Sequence, residues 1–206
     1  MHELSKAAYG SARPGGNIYD KYGSGNPITK YLMAGFFAAL DESLPDQVET
    51  VLEVGVGEGE VLHRLVGRFN PRLAVGIDLP GGRLRPHWID RDLRGLEASG
   101  ESLPFADKSF DLVVGLEMLE HVTNPERVLG EIVRVAAGRV VLSVPREPLW
   151  RLMNMGRFTY LSAWGNTPGH IHHWSSKQFT ELVSGYLSVT QVRRPLPWVM
   201  VAGRPR

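Results

Sequence analysis

The sequence predicts an α/β fold with a mainly parallel sheet covered by helices on both faces. Three observations carry that prediction. Short β-branched runs alternate with segments of helical apolar spacing from residue 45 onward; the first run ends in clustered glycines just before a helix; and the last two runs are joined by Arg194-Pro195-Leu196-Pro197, short enough for an antiparallel pair. With 206 residues, 43% hydrophobic and 22% charged, the composition is that of a globular chain, and a single domain over residues 1–206 is expected. The 23 glycines and 14 prolines stay below low-complexity levels.

In chain order, residues 1–26 are Gly-rich and polar, with Tyr9, Tyr19 and Tyr22 and no apolar period, and read as an arm or lid. Asn26 is a candidate N-cap with Pro27 at the first helical position. Ile28, Leu32, Phe36, Leu40 and Leu44 follow at spacing four, joined by Met33 and Phe37, so a helix with one buried face is expected to about Ser43. Thr50–Val54 is the first strand and Glu60–Phe69 a helix with Val61, Leu62, Leu65, Val66 and Phe69 at helical spacing. Leu73–Ile77 is the second strand, closing at Asp78. The Arg-, Gly- and Pro-rich stretch 80–94 gives no clear signal, and a weak third strand falls near Leu93–Ala98. Ser109–Val114 is a buried strand. Asn124-Pro125 opens a helix through Val128, Leu129, Ile132, Val133 and Val135, which Gly138 is expected to stop before a strand over Val140–Val144. Ser175-x-x-Gln178 is a capping box opening a helix with Phe179, Leu182 and Val183 inward. Leu187–Arg193 and Trp198–Ala202 are the last strands. The chain divides into an arm and helix (1–44), an alternating strand–helix half (48–144) and an insert with the terminal hairpin (145–206).

Net charge is +1, which gives no bulk electrostatic case for nucleic acid or an anionic membrane. With no cysteine, disulfides, thiolate metal sites and cysteine nucleophiles are excluded. The longest apolar run, Leu32 to Leu40, falls far short of the ~20 residues that span a bilayer, and Met1-His2-Glu3-Leu4-Ser5-Lys6 lacks a secretory apolar core. A soluble cytoplasmic protein is expected.

Glu53-Val-Gly55-Val-Gly57-Glu58-Gly59 lies at a strand end before a helix, where glycines let the backbone turn sharply and let a ligand touch the main chain. Glu58 and Glu60 flank the positive helix end that a pyrophosphate would need, and Glu53 precedes it. Three carboxylates disfavour NAD and favour a cationic or zwitterionic nucleoside. Asp78 follows Glu53 by 25 residues, near the roughly 20-residue offset at which an acid meets a ribose diol, and Leu79 is placed to pack on a purine.

These residues resemble the class I S-adenosylmethionine-dependent methyltransferases. Val51-Leu-Glu-Val-Gly-Val-Gly-Glu-Gly59 is similar to their first motif and Val75-Gly-Ile-Asp78 to the acidic end of their second strand. Glu101-Ser-Leu-Pro-Phe-Ala-Asp-Lys-Ser-Phe-Asp111 resembles the segment entering strand four, and Leu116-Glu-Met-Leu-Glu-His-Val122 the segment after it. The resemblance covers about residues 48–205. It implies a Rossmann-like seven-stranded sheet with an antiparallel last hairpin, S-adenosylmethionine as cofactor and S-adenosylhomocysteine as product. It also implies that Glu53 faces the methionine ammonium, Gly55 and Gly57 back the cofactor and Asp78 holds the ribose. Where relatives often place Asp for the adenine amino group, this chain has Ala98-Ser99-Gly100-Glu101. The Ser99 hydroxyl accepts more weakly than a carboxylate, with the Gly100 amide and Glu101 beside it.

Methyl transfer from a sulfonium is an in-line displacement that needs chiefly positioning, plus a base where the acceptor is a hydroxyl. Two clusters could supply one. In Glu117-Met-Leu-Glu120-His121 a helical turn would put both carboxylates and His121 on one face, able to hold a divalent ion and similar to the metal segment of ubiquinone-pathway O-methyltransferases and small-RNA 2′-O-methyltransferases. Metal-free members carry the same letters as part of the cofactor pocket, so no metal is favoured, and Glu117 is assigned to the cofactor. In Pro168-Gly-His170-Ile-His172-His173-Trp174 three histidines precede a capped helix, and His170 is the first candidate to touch substrate. The insert from about Pro145 to Thr167, with Trp150, Leu152, Met153, Met155, Phe158, Tyr160, Leu161 and Trp164, reads either as the wall of an apolar acceptor pocket, as a membrane-surface patch for a lipid-linked acceptor, or as a core-covering helix. The reading is methyl transfer to a small apolar or aromatic acceptor, at oxygen, under a lid from residues 1–26 and 145–170. The rivals are RNA 2′-O-methylation, which the near-neutral charge opposes, a non-catalytic S-adenosylmethionine-binding protein and, weakest, a dehydrogenase.

Overall fold

The computed structural model describes residues 25–81, 85–158 and 160–206; the expected arm over residues 1–26 lies, up to residue 24, outside them. Seven strands form one sheet in the order β3-β2-β1-β4-β5-β7-β6. They are β1 Thr50–Val54, β2 Leu73–Asp78, β3 Arg94–Glu97, β4 Phe110–Leu116, β5 Ala136–Pro145, β6 Leu187–Arg193 and β7 Trp198–Pro205. β1 pairs in parallel with β2 and β4, β2 with β3 and β4 with β5, whereas β7 runs antiparallel to both β5 and β6. The chain leaves β1 toward β2 on one side and later returns to β4 on the other. The order therefore reverses between β1 and β4, and the C-terminal ends of these strands open a crevice there.

Every residue of β1 is buried, as a central parallel strand covered on both faces requires. Alternation then sorts the side chains: Leu52 and Val113 enter one core, with Leu129, Ile132 and Phe179, while Val51 and Val114 enter the other, with Phe36, Leu62 and Met200. Among the described residues the helices are α1 Pro27–Ser43, α2 Glu60–Phe69, α3 Arg85–Asp90, α4 Pro125–Val135, α5 Leu149–Gly156 and α6 Ser176–Ser184. Their starts follow the expected chemistry. Asn26 Oδ1 accepts from Ile28 N at 2.8 Å, Asn124 Oδ1 accepts from Arg127 N at 3.0 Å, and Ser175 and Gln178 form the capping box.

Two expectations are corrected. The expected face of α1 packs on the core at Leu32, Met33, Phe36, Phe37, Leu40 and Leu44, with Ala39 and Ser43 added, but Ile28 at its start is exposed. Four residues overshoot one turn of a 3.6-residue helix, so a spacing-four stripe winds off the face that meets the sheet. Nor does Gly138 stop α4: the helix ends at Val135 and β5 begins at once. Gly138 lies inside β5, beside the irregular pairing between Phe110 and Leu112, and a Cβ there would sit 2.5 Å from the Asp111 carbonyl. Close backbone approach, not helix termination, fixes this glycine.

The start of β1 is clamped to β4 by Asp111. Its Oδ2 accepts from Glu49 N and Thr50 N at 3.0 Å and from Thr50 Oγ1 at 2.9 Å, while Asp111 N donates to Thr50 Oγ1 at 2.8 Å. Burial alone would raise the Asp111 carboxyl, but these bonds and the Arg72 charge outweigh it and hold the group below the usual carboxylate range. Its contribution is therefore present above the unfolded carboxyl value and is lost as pH falls through the depressed one. Asp111→Ala should cost about 2 kcal/mol in urea unfolding at neutral pH, and the deficit relative to wild type should shrink as the pH is lowered into the acid range.

Candidate cofactor and acceptor site

The bend after β1 lies at the reversal point of the sheet. Gly55 N and Val56 N both donate to Ile77 O at 2.9 Å, which ties the bend to the end of β2. Gly55 (φ +76°) and Gly57 (φ +52°) occupy the left-handed region, which disfavours any side chain. Their surroundings differ. A Cβ on Gly55 would lie 2.7 Å from the Met118 Cβ, whereas none of the described residues approaches within 4 Å of one on Gly57. The bend is packed from below and open at Gly57, where a ligand can reach the backbone.

Asp78, half-buried at the end of β2, accepts from Gly57 N at 2.8 Å through Oδ2 and from Leu79 N at 2.8 Å through Oδ1. Burial pushes its carboxyl up, and the two backbone bonds offset part of that. The acid expected to hold a ribose thus also holds the bend, with lone pairs left on both oxygens. Glu53 is buried. Glu60 forms an ion pair with Arg91 at 3.1 Å, so the ring of three carboxylates is weaker than the letters suggest, one being neutralised from beyond α3. Ser99 accepts from Glu101 N at 3.2 Å and closes a turn. A Cβ on Gly100 would lie 3.3 Å from Val54 Cγ1 and 3.7 Å from Met118 Cε, so this turn lies over the end of β1.

Sequence reasoning missed Trp88. Its indole donates to Gly57 O at 2.7 Å, and its ring occupies the space where a Gly95 side chain would be. A buried tryptophan from α3 therefore pins the bend, and the only signal was a tryptophan in an otherwise Arg-, Gly- and Pro-rich stretch.

After β4 the expected single helical face does not form. Glu117 takes a left-handed conformation (φ +57°) and its Oε1 accepts from Ser143 Oγ at 2.9 Å. Only Leu119–His121 make a turn of 3-10 helix. Glu117 therefore leaves the Glu120–His121 set, and His170 joins it. The ligand atoms of Glu120, His121 and His170 lie within 4.8 Å of one another, a two-histidine, one-carboxylate group that could hold a divalent ion. The His121 and His170 rings meet edge to face at 4.8 Å. His121 Nδ1 lies 3.0 Å from Gly169 O; a carbonyl only accepts, so Nδ1 carries the proton and Nε2, 3.9 Å from Glu120 Oε1, is the basic nitrogen. His170 is only 8% exposed, and burial, with the neighbouring His121 and His173, lowers its pKa to about 3. It is neutral at physiological pH. His172 and His173 are engaged elsewhere, with Val122 O at 3.0 Å and Asn166 Oδ1 at 2.7 Å.

The insert divides by side. Trp150 turns inward, donating to Thr167 Oγ1 at 2.8 Å and stacking 6.0 Å from His170, while Asn154 donates to Gly165 O at 2.9 Å. These contacts hold the segment that carries His170. Phe158, Leu161 and Trp164 are exposed, which sets aside the core-covering reading for these three side chains.

Two outcomes follow. Gly57→Ala places a methyl in the open cradle and forces a left-handed alanine, costing about 1 kcal/mol of stability; calorimetry should show S-adenosylhomocysteine affinity falling by about tenfold or more with the fold retained. Because the folded value of His170 lies below the unfolded one, the unfolded chain binds the extra proton between about pH 3 and 6.5. Stability should then fall as pH drops below 6.5, by up to about 1.4 kcal/mol per pH unit from this group, and His170→Gln should flatten that slope.

Residues 52–142 match the family described as Methyltransferase domain. A demethylmenaquinone methyltransferase of Roseiflexus sp. is 34% identical over 115 residues, covering 52% of this chain and 48% of the relative. A ubiquinone biosynthesis O-methyltransferase of Cereibacter sphaeroides is 27% identical over 154 residues, covering 72% of this chain and 62% of the relative. The chain thus spans about half the length of the first of these and under two thirds of the second. A SAM-dependent methyltransferase from Aquifex aeolicus superposes with a TM-score of 0.68 at 16% identity, covering 86% of this chain and 93% of that one. Another from Mesorhizobium loti gives 0.64 at 17% identity, covering 82% and 97%. Residues 52–142 match the methyltransferase domain family, and the sheet around them has the fold of the S-adenosylmethionine-dependent methyltransferases it superposes on.

Proposed function

We propose that the chain transfers a methyl group from S-adenosylmethionine to a hydroxyl of a small apolar or aromatic acceptor, residues 1–206 acting as one domain. The observation that carries this reading is the run from Gly55 to His170. Met118 packs against the glycine bend, and three residues on His121 packs against His170. A cofactor cradle and a histidine pair are thereby joined by one short segment after β4.

The residues present fit the cofactor. Gly57 leaves the space a Cβ would fill, Glu53 offers a carboxylate for the ammonium, and Asp78 retains acceptor capacity for ribose hydroxyls. Leu79 would meet the purine, Ser99, Gly100 and Glu101 its edge, with Gly55 and Glu117 bordering the methionine end. When bound, S-adenosylmethionine supplies an electrophilic methyl on a sulfonium. The protein's task is to place the acceptor oxygen in line and to take its proton.

His121 suits the second task. Gly169 O fixes its tautomer with Nε2 basic, and the Glu120 carboxylate at 3.9 Å would stabilise the imidazolium that forms. His170, with a value near 3, is a poor proton acceptor at neutral pH. Its role is to hold the acceptor beside His121 while remaining uncharged. The name of the Roseiflexus relative, a demethylmenaquinone methyltransferase, supports a quinol-like acceptor, and that of the Cereibacter relative, an O-methyltransferase of ubiquinone biosynthesis, supports an oxygen target. Assayed against a panel of catechols and hydroxyquinols, His121→Ala should lose about 100-fold or more in kcat and His170→Ala about tenfold, both with S-adenosylhomocysteine affinity intact. Unchanged turnover in both variants would refute the histidine roles.

A further inference from the structure

The outer side of the insert has no place in the chemistry above. Phe158 is 85% exposed, Trp164 78%, Leu152 56% and Leu161 54%, and Ile171, next to His170, is 49% exposed. Five large apolar side chains left in water within twenty residues are costly, and an apolar patch of this kind marks an interaction surface.

Their presentation is built. On the inner side, Asn154 donates to Gly165 O, Trp150 donates to Thr167 Oγ1, and Gly165 approaches the Arg151 carbonyl too closely for any side chain. Phe158, Tyr160 and Trp164 all adopt left-handed backbone (φ +57°, +56° and +51°), a conformation unfavourable for aromatic residues that persists only where surrounding structure enforces it. The same anchors that hold His170 thus hold Phe158 and Trp164 outward.

Charge selects the occupant. Positions 148–180 contain none of the chain's 22 acidic residues, while Arg151, Arg157 and Lys177 lie within them. Glu147 and Glu181 border the stretch and are engaged with Arg151 at 4.0 Å and Lys177 at 3.8 Å. Protruding Trp, Phe and Leu with Arg157 directly before Phe158, and with both bordering carboxylates offset by Arg151 and Lys177, have the chemistry of an interfacial membrane contact. No described helix is long and apolar enough to cross a membrane, so the contact is a surface one.

We infer that the outer face of α5 and the following turn, with Leu152, Phe158, Leu161 and Trp164 at its tips, docks on an anionic lipid surface. Resting on the proposed apolar acceptor, this docking places Ile171 and the mouth of the His121–His170 site at the level from which such an acceptor would enter. It gives substrate a route from the lipid that avoids water.

Sedimentation with vesicles of phosphatidylcholine, alone or mixed equally with phosphatidylglycerol, tests this without any acceptor. The full chain should bind the mixed vesicles and bind phosphatidylcholine alone more weakly. The Phe158→Ala/Trp164→Ala double variant should lose about tenfold or more of that binding while keeping its S-adenosylhomocysteine affinity. Absence of vesicle binding by the wild type overturns the inference. So does binding that the double variant retains, or a wild-type dimer that the variant dissolves without any lipid effect. Loss of methyl transfer with vesicle binding preserved would fall on the proposed function instead.

Discussion

The structure is organised around holding one backbone bend open. Between β1 and α2 the chain must reverse direction while exposing main-chain groups to a crevice, and glycines that can adopt this path are also the residues least able to keep it. The neighbours supply the rigidity. Ile77 O takes two amide protons from the start of the bend, Asp78 takes the Gly57 N–H, the Trp88 indole donates to the Gly57 carbonyl and Met118 closes the space beneath Gly55. These four residues come from three elements, so the bend is fixed only once β2, α3 and the segment after β4 are all in place. The Asp111 clamp at the other end of β1 serves the same register from below.

Charge gives the bend its ligand preference, though in a moderated form. Glu53 is buried in the central strand and Glu58 is half-buried beside the glycines, but Glu60 is compensated by Arg91. The bias toward a cationic nucleoside therefore rests on the strand-end carboxylate more than on the helix start. Asp78 anchors the bend by accepting from Gly57 N and Leu79 N, and these two backbone bonds offset part of the rise that burial gives its carboxyl.

Much of this was legible in the letters. The succession of strands and helices, the three caps and the terminal hairpin followed from period and punctuation, because β-branched runs, Asn-Pro starts and a Ser-x-x-Gln box each have a local physical cause. What stayed hidden was tertiary. Gly138 looks like a helix stop but is set by the carbonyl of Asp111 on another strand. Glu117, Glu120 and His121 look like one helical face, yet β4 runs on to Leu116 and Glu117 turns left-handed toward Ser143, so His170, fifty residues away in sequence, completes the cluster instead. Trp88 and Trp150 gave no motif at all; their meaning lies in the carbonyl and hydroxyl they reach. The insert read as pocket wall, membrane patch or core cover, and the structure assigns Trp150 inward and its other large apolar tips outward.

The central claim is that the bend is shaped and charged for a sulfonium nucleoside and not for a pyrophosphate. The most direct measurement is a calorimetric titration of the intact chain with S-adenosylmethionine, S-adenosylhomocysteine, NAD and ATP in parallel. The account predicts saturable binding with one site per chain for the two sulfur nucleosides and no heat above dilution for the phosphate-bearing nucleotides. Binding of NAD or ATP, with both sulfur nucleosides silent, would contradict it.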